Sequence, residues 1–289
     1  MVIDMNMSSE IIPNDVLSII QMLNSQFKDR RDYKNDNRSN RRKHEKNVNS
    51  EPFNKTVLIK FEGIDKYIGD IRTNFNKLTD KTYDKISIEI INIIDTIIEN
   101  NVEDDINKVI ESIFNVVKNN KFYSHIYAKI YKELIDKYVI FKDKLFIGLE
   151  QYEEISTNIN FVSSNENYEE FCKYNYANDM RKAFTTFILN LMKQEIIDIK
   201  LMEEYLCILT KKIDDIISHE GNKEVVQELV ENIAIYLSNS KQELLDYNKF
   251  EHWKQYVKEM SSKKITDYKS YSSRCKFKYM DILDTWGEK

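Results

Sequence analysis

The chain contains very few residues that break helices or cross-link chains. Its 289 residues include five Gly, two Pro and three Cys. So few turn-forming residues exclude a many-stranded fold and favour long helices joined by short polar links. Cys172, Cys207 and Cys275 lie far apart, so their spacing indicates neither a disulfide framework nor a zinc ribbon. We therefore expect an all-α protein in a reducing compartment.

Membrane and secretion signals are also missing. No apolar run approaches the roughly 18 residues that a bilayer-spanning helix needs. The N-terminus carries Asp4 and Glu10 and has no basic region ahead of an apolar core, so it does not resemble a secretory signal. We expect a cytoplasmic protein without a membrane partner.

Catalytic motifs are absent as well. The scattered glycines cannot form a phosphate-binding loop. The four histidines lack the spacing of a zincin site, and adjacent carboxylates such as Asp214 and Asp215 diverge on a helix. We expect no enzymatic activity, no metal and no cofactor.

Helical periodicity is what the sequence has in abundance. Hydrophobic residues make up 42% of the chain, and from Ile64 onwards they recur at spacings of three and four. This pattern predicts a HEAT-type α-solenoid of about five antiparallel helix pairs, with a polar loop over 157–167. The ten predicted helices span 64–78, 80–99, 103–119, 122–138, 140–158, 167–193, 195–217, 222–238, 240–260 and 270–285.

Residues 1–60 differ from the main domain, which we place at 61–289. An apolar stripe predicts an amphipathic helix over 14–28, with the residues Val16, Ile19, Ile20, Leu23 and Phe27. A lone amphipathic helix ahead of a flexible linker is typical of partner-binding elements. The alternatives are that it packs onto the main domain or is disordered.

A basic segment follows that helix. Between Lys28 and Lys46, nine Lys or Arg stand against four Asp or Glu in a chain whose net charge is −5. Such a segment can contact RNA phosphates by releasing counterions, and we assign this role to Arg38, Arg41, Arg42, Lys43 and Lys46. A solubilising linker is the equally weighted alternative.

Several motifs in the main domain occur in the same order as in a known protein family. Asn76-Lys77-Leu78-Thr79 joins the first two predicted helices, Phe122-x-Ser124-x-x-Tyr127-Ala128 opens the fourth, and Ser272-Ser273-Arg274 begins the last. Together they resemble the middle domain of eukaryotic translation initiation factor 4G, over residues 64–286. Weaker matches run from Phe141 to Glu153 and from Asn178 to Ile197. The heavy use of Ile, Asn and Lys indicates an AT-rich genome, such as that of a giant virus or a protist.

The resemblance implies a non-catalytic translation initiation scaffold. Proteins of this family clamp a DEAD-box RNA helicase of the initiation factor 4A type and also bind RNA. By this resemblance we expect a helicase-binding surface that includes Arg72, Lys77, Phe122, Tyr123, Arg274, Lys276 and Lys278. Initiation factor 4G also docks a cap-binding protein of the initiation factor 4E type through Tyr-x-x-x-x-Leu. Residues 1–60 lack that motif, so we assign this docking to the stripe in helix 14–28 as a hypothesis.

Two other functions remain open. A translational repressor or decoy would bind the helicase without assembling an active complex. A related HEAT scaffold of mRNA decay or splicing would share the fold, although the Asn-Lys-Leu-Thr opening favours the initiation branch.

The assignment of helix 14–28 gives a first prediction. Deleting residues 1–30 is expected to abolish retention on cap-analogue resin in the presence of a cap-binding protein, because the apolar stripe is removed. Helicase binding is expected to persist. Retention of the truncated chain would place the docking site elsewhere.

Overall fold

Helices account for nearly all regular structure in the described part of the chain. The structure is a computed structural model that describes residues 63–100 and 102–288. Within these residues there are twelve α-helices and no strand. They are α1 (Ile64–Lys77), α2 (Tyr83–Glu99), α3 (Glu103–Lys118), α4 (Ser124–Lys137), α5 (Val139–Glu150), α6 (Tyr152–Thr157), α7 (Tyr168–Lys193), α8 (Ile199–Ile216), α9 (Lys223–Asn239), α10 (Lys241–Asp246), α11 (Phe250–Ser262) and α12 (Ser273–Trp286). A 3₁₀ turn, Ile265–Asp267, lies between the last two helices.

Local capping chemistry sets several helix ends. Asn167 accepts a hydrogen bond from the Glu170 N–H at the start of α7, at 3.2 Å, and Ser272 accepts one from the Cys275 N–H at the start of α12, at 3.3 Å. These side chains satisfy donors that a helix start leaves without an intrahelical partner. Gly287 follows α12 in the left-handed conformation, with φ 72°, which glycine adopts without steric cost.

The helices pack in two layers, as an α-solenoid requires. In one layer α1 packs on α3, α3 on α5, and α6 on α8. In the other, α4 packs on α7, α7 on α9, and α9 on α12. Helices within a pair also touch: α1 contacts α2, and α11 contacts α12. The predicted all-α class and HEAT-like architecture are confirmed for the described residues.

Two of the predicted helices are interrupted. The helix predicted over 140–158 bends at Gln151 and forms α5 and α6. The prediction of one continuous helix over 240–260 is wrong, because Asn248 adopts a left-handed φ of 56° after α10. Its N–H donates to the Leu245 carbonyl, and the Lys249 N–H donates to the Leu244 carbonyl. This pair of bonds ends a helix, and asparagine is among the residues that tolerate it.

Helix α7 lies at the centre of the packing. On one side, Phe187 packs edge-on against Tyr131 of α4, with ring centroids 5.7 Å apart. On the other side, the Thr185 hydroxyl lies 2.6 Å from the Tyr152 hydroxyl of α6 and donates to Asn232 of α9 at 2.7 Å. All five side chains are buried. The second half of α7 therefore joins the two halves of the stack.

A glycine permits a close helix crossing in this core. Gly148 of α5 lies against the Phe114 ring of α3, and a methyl group at Gly148 would overlap the ring carbons. The ring cannot move away freely, because Phe184 packs edge-on against it at 6.0 Å. The α3–α5 contact therefore depends on Gly148 having no side chain.

We predict that Gly148→Ala lowers the free energy of unfolding by about 1–3 kcal/mol, the usual cost of overpacking a core. The matched control is Gly69→Ala in α1, where an added methyl meets no atom within 4 Å. That change is expected to raise stability by about 0.5–1 kcal/mol, since alanine favours a helix interior. Chemical denaturation measures both. An unchanged midpoint for Gly148→Ala would contradict the tight crossing.

Candidate protein-binding surface

The turn between α3 and α4 holds two aromatic side chains in fixed positions. The Asn120 side-chain oxygen accepts hydrogen bonds from the Phe122 N–H at 3.1 Å and from the Tyr123 N–H at 3.2 Å. Asparagine commonly fixes a turn in this way. The backbone that carries both aromatic residues is thus ordered before any partner arrives.

Phe122 projects from this turn towards solvent. Its side chain is 77% exposed, the largest exposed fraction among the large hydrophobic residues of the described chain. The Lys121 ammonium lies 5.1 Å from its ring centroid, within cation–π range. Tyr123 is 44% exposed and lies beside Tyr127, with ring centroids 6.3 Å apart. The Phe122 ring is therefore mostly exposed to solvent, whereas the Tyr123 ring packs beside Tyr127.

An open cavity lies beside Phe122. Its volume is about 330 Å³, and it is lined by residues 119–122 and by Asp179, Met180 and Ala183 of α7. We call it the Phe122 groove. Met180 separates it from a second cavity of about 520 Å³, which is lined in part by Ile155 and Asn158. Met180 is therefore shared by two adjacent depressions in the surface.

A buried arginine fixes α7 below these depressions. Arg181 is 4% exposed, its Nε donates to the Ile155 carbonyl at 2.7 Å, and an Nη donates to the Asn178 side-chain oxygen. Burial lowers the pKa of the Arg181 guanidinium from its ordinary value. Because buried polar groups need hydrogen-bond partners, this arrangement ties the end of α6 to α7.

Lys77, one of the predicted helicase contacts, lies at the end of α1, close to the start of α4. The Tyr127 hydroxyl donates to the Phe75 carbonyl at 3.2 Å, so the end of α1 lies against the start of α4. Lys77 is exposed in the last turn of α1. Arg72, one and a half turns earlier, is exposed but donates through Nε to Ser112 of α3 at 3.1 Å. The end of α1 thus lies beside the start of α4, but the Lys77 side chain lines a cavity on the α2 side together with Glu89 and Ile93.

The three predicted basic residues of α12 have different surroundings. An Arg274 Nη and the Lys278 Nζ lie 3.0 and 3.1 Å from the two oxygens of Glu231 on α9. The Lys276 Nζ instead donates to the Lys263 carbonyl at 3.3 Å. Burial raises the pKa of the Glu231 carboxyl, but the hydrogen bonds from Arg274 and Lys278 outweigh it and the pKa is lowered.

These positions divide the predicted surface. The end of α1 and the aromatic turn are neighbours, whereas Arg274 and Lys278 are joined to α9 at the far end of the layer that runs from α4 through α7 to α12. Asp179 and Met180 were missed, because their place beside Phe122 arises from the packing of α7 and not from any local motif. The residues assigned to cap-binding-protein docking and to RNA lie outside the described part of the chain.

Residues 63–100 and 102–288 contain neither a metal-binding cluster nor a membrane-spanning helix. No group of three or more His, Cys, Asp or Glu side chains in this part is arranged to hold a metal ion. None of its helices combines the length and the apolar character needed to cross a bilayer.

The Glu231 ion pairs give a prediction about stability and pH. Glu231→Gln is expected to lower the free energy of unfolding by about 1 kcal/mol at pH 7, a modest value because Arg274 is largely exposed. Since the pKa of Glu231 is lower in the folded state, its contribution is present above the unfolded pKa of about 4.3. It is lost as the pH falls through the folded pKa, so wild type and variant should converge in acid. Denaturation at several pH values tests this, with the exposed Glu204→Gln as control; a constant difference would contradict it.

Comparison with known proteins does not assign the chain to a family. No protein-family model matches the chain. No curated protein matches it either. The function is therefore inferred from the residues and the geometry described above.

Proposed function

We propose that this chain is a non-catalytic translation initiation scaffold that binds a DEAD-box RNA helicase of the initiation factor 4A type. The proposal rests on the resemblance of residues 64–286 to the middle domain of initiation factor 4G. The observation that carries it is the exposed Phe122 ring beside an open groove, within one of the matching motifs.

The aromatic turn suits a protein contact for energetic reasons. Exposed aromatic rings are frequent hot spots, and a ring that enters a partner's pocket releases water from both surfaces. Asn120 already fixes the backbone of Phe122 and Tyr123, so binding costs less ordering entropy than it would on a free loop. The Phe122 groove lies next to the ring and can receive a side chain in return.

Charge supports a partner with acidic loops. Lys121 adjoins Phe122, and Lys77 is exposed in the last turn of α1, which ends near the start of α4. Such charges act mainly on the rate and specificity of association. Arg274 and Lys278 already share Glu231, so their contribution requires the partner to compete with that carboxylate. In this proposal they form a secondary contact, together with Lys276 and Arg72.

The remaining partners of the proposal bind outside the described residues. RNA is assigned to the basic segment with Arg38, Arg41, Arg42, Lys43 and Lys46, and a cap-binding protein to the stripe from Val16 to Phe27. A scaffold of this kind would place the helicase on mRNA near the cap.

We predict that the double change Phe122→Ala and Tyr123→Ala weakens helicase binding by about 2 kcal/mol, roughly thirtyfold in Kd. Isothermal titration calorimetry with a purified helicase measures it. Circular dichroism should stay unchanged, because Phe122 is mostly exposed. The matched control is Phe146→Ala, which removes an exposed aromatic ring from α5 and should leave the Kd unchanged. Equal Kd values for the double variant and wild type would reject the assignment.

A second assay separates the scaffold from a repressor or decoy. If the chain activates the helicase, the ATP hydrolysis rate rises on addition of wild type and not of the double variant. Binding without any increase in that rate would favour the decoy.

A further inference from the structure

A second groove lies at the other end of the buried half of α7. It is formed by the link between α7 and α8 together with α10, and its volume is about 470 Å³. We call it the α10 groove. Met180 of the Phe122 groove and Lys193 of this one are thirteen residues apart, about 20 Å along the helix at 1.5 Å per residue. The two grooves are therefore separate sites.

Apolar side chains contribute to the lining of the α10 groove. Met192, Ile197 and Ile199 line it and are nearly buried, whereas Ile196 is half-buried. Tyr247 also lines it and remains 56% exposed. A largely exposed aromatic ring above buried aliphatic residues is a typical feature of protein interfaces.

The lining is strongly acidic. Glu195, Asp198, Glu243 and Asp246 line the groove, against the single ammonium of Lys193. The Lys193 Nζ lies 3.8 Å from Glu243, and Asp198 accepts the Lys200 N–H at the start of α8. Glu195 and Asp246 are both exposed. The excess of negative charge attracts a cationic group and repels phosphates.

Glu195 occupies a position that suits glycine better. Its φ is 60°, and the Glu195 and Ile196 N–H groups donate to the Met192 and Leu191 carbonyls. In this helix-ending motif the left-handed residue is usually glycine. A glutamate there costs backbone energy, yet it places a carboxylate in the lining of the groove.

We propose that the α10 groove binds a basic, aliphatic peptide segment of a partner protein. Lysine or arginine side chains would pair with Glu195 and Asp246, and one or two aliphatic side chains would cover Ile196 and Tyr247. The charge complementarity selects this occupant over an acidic peptide or a nucleic acid. The site goes beyond helicase binding, because it shares no lining residue with the Phe122 groove.

The test uses the full chain and two synthetic peptides labelled with fluorescein. One peptide alternates leucine pairs with lysine pairs, and the other replaces each lysine with glutamate. Fluorescence anisotropy is expected to show binding of the lysine peptide alone, and the affinity should fall as salt is raised. Equal binding of both peptides, or of neither, would overturn the proposal.

Charge reversal then locates the site. Asp246→Lys is expected to weaken binding of the lysine peptide about tenfold or more, because it replaces attraction by repulsion. The matched control is Asp143→Lys, which makes the same change in net charge at an exposed position of α5 and should leave the affinity unchanged. Equal losses in the two variants would mean that only the net charge matters and would overturn the site.

A pair of glycine variants separates binding from folding. Glu195→Gly relieves the left-handed backbone and removes the carboxylate, so we expect weaker peptide binding without a lower Tm. Asn248→Gly relieves the same backbone conformation after α10 at a residue that does not line the groove, so its affinity should match wild type. Unchanged binding by Glu195→Gly would contradict the role of its carboxylate. A dimer in sedimentation that Asp246→Lys abolishes would assign the groove to a second copy and overturn the proposal.

Discussion

The rest of the described fold depends on how the second half of α7 is buried. Its side chains contact four neighbours at once: Phe184 meets α3, Phe187 meets α4, and Thr185 joins α6 to α9. A buried hydroxyl between two helices must keep its hydrogen bonds, since an unsatisfied polar group costs free energy. The Tyr152, Thr185 and Asn232 contacts therefore fix the angle and register of α7 more narrowly than apolar packing alone would.

This buried segment of α7 holds the two proposed binding sites in a fixed arrangement. Each groove is built where α7 meets a connecting segment: the α3–α4 turn at Met180, and the α7–α8 link at Lys193. Because the helix between them is buried and hydrogen-bonded, both sites keep a fixed separation. A scaffold that holds two partners needs such a fixed separation, whereas a flexible tether between them would leave their relative orientation free.

Much of the helical framework could be predicted from the sequence. Apolar spacings of three and four marked the helices from α1 to α4 to within about three residues, because each buries one stripe against the stack. The helix interruptions at Gln151 and Asn248 cannot be read from the sequence. Asparagine also occurs within helices, and the left-handed conformation of Asn248 is a property of the folded turn. The resemblance includes Phe122 in a binding surface, but the sequence does not predict the Phe122 groove, because Met180 is brought there by tertiary packing. The pairing of Arg274 and Lys278 with Glu231 likewise joins residues of different helices, and spacing within one helix cannot reveal it.

The central claim is that the aromatic turn and the adjoining face of α7 contact a DEAD-box helicase. Hydrogen–deuterium exchange of the full chain, measured with and without a purified helicase of the initiation factor 4A type, tests it most directly. The account predicts slower exchange in peptides that cover residues 119–123 and 176–183, with no change in peptides that cover residues 241–249. Binding that protects other segments and leaves the aromatic turn unchanged, or no binding at all, would contradict the claim.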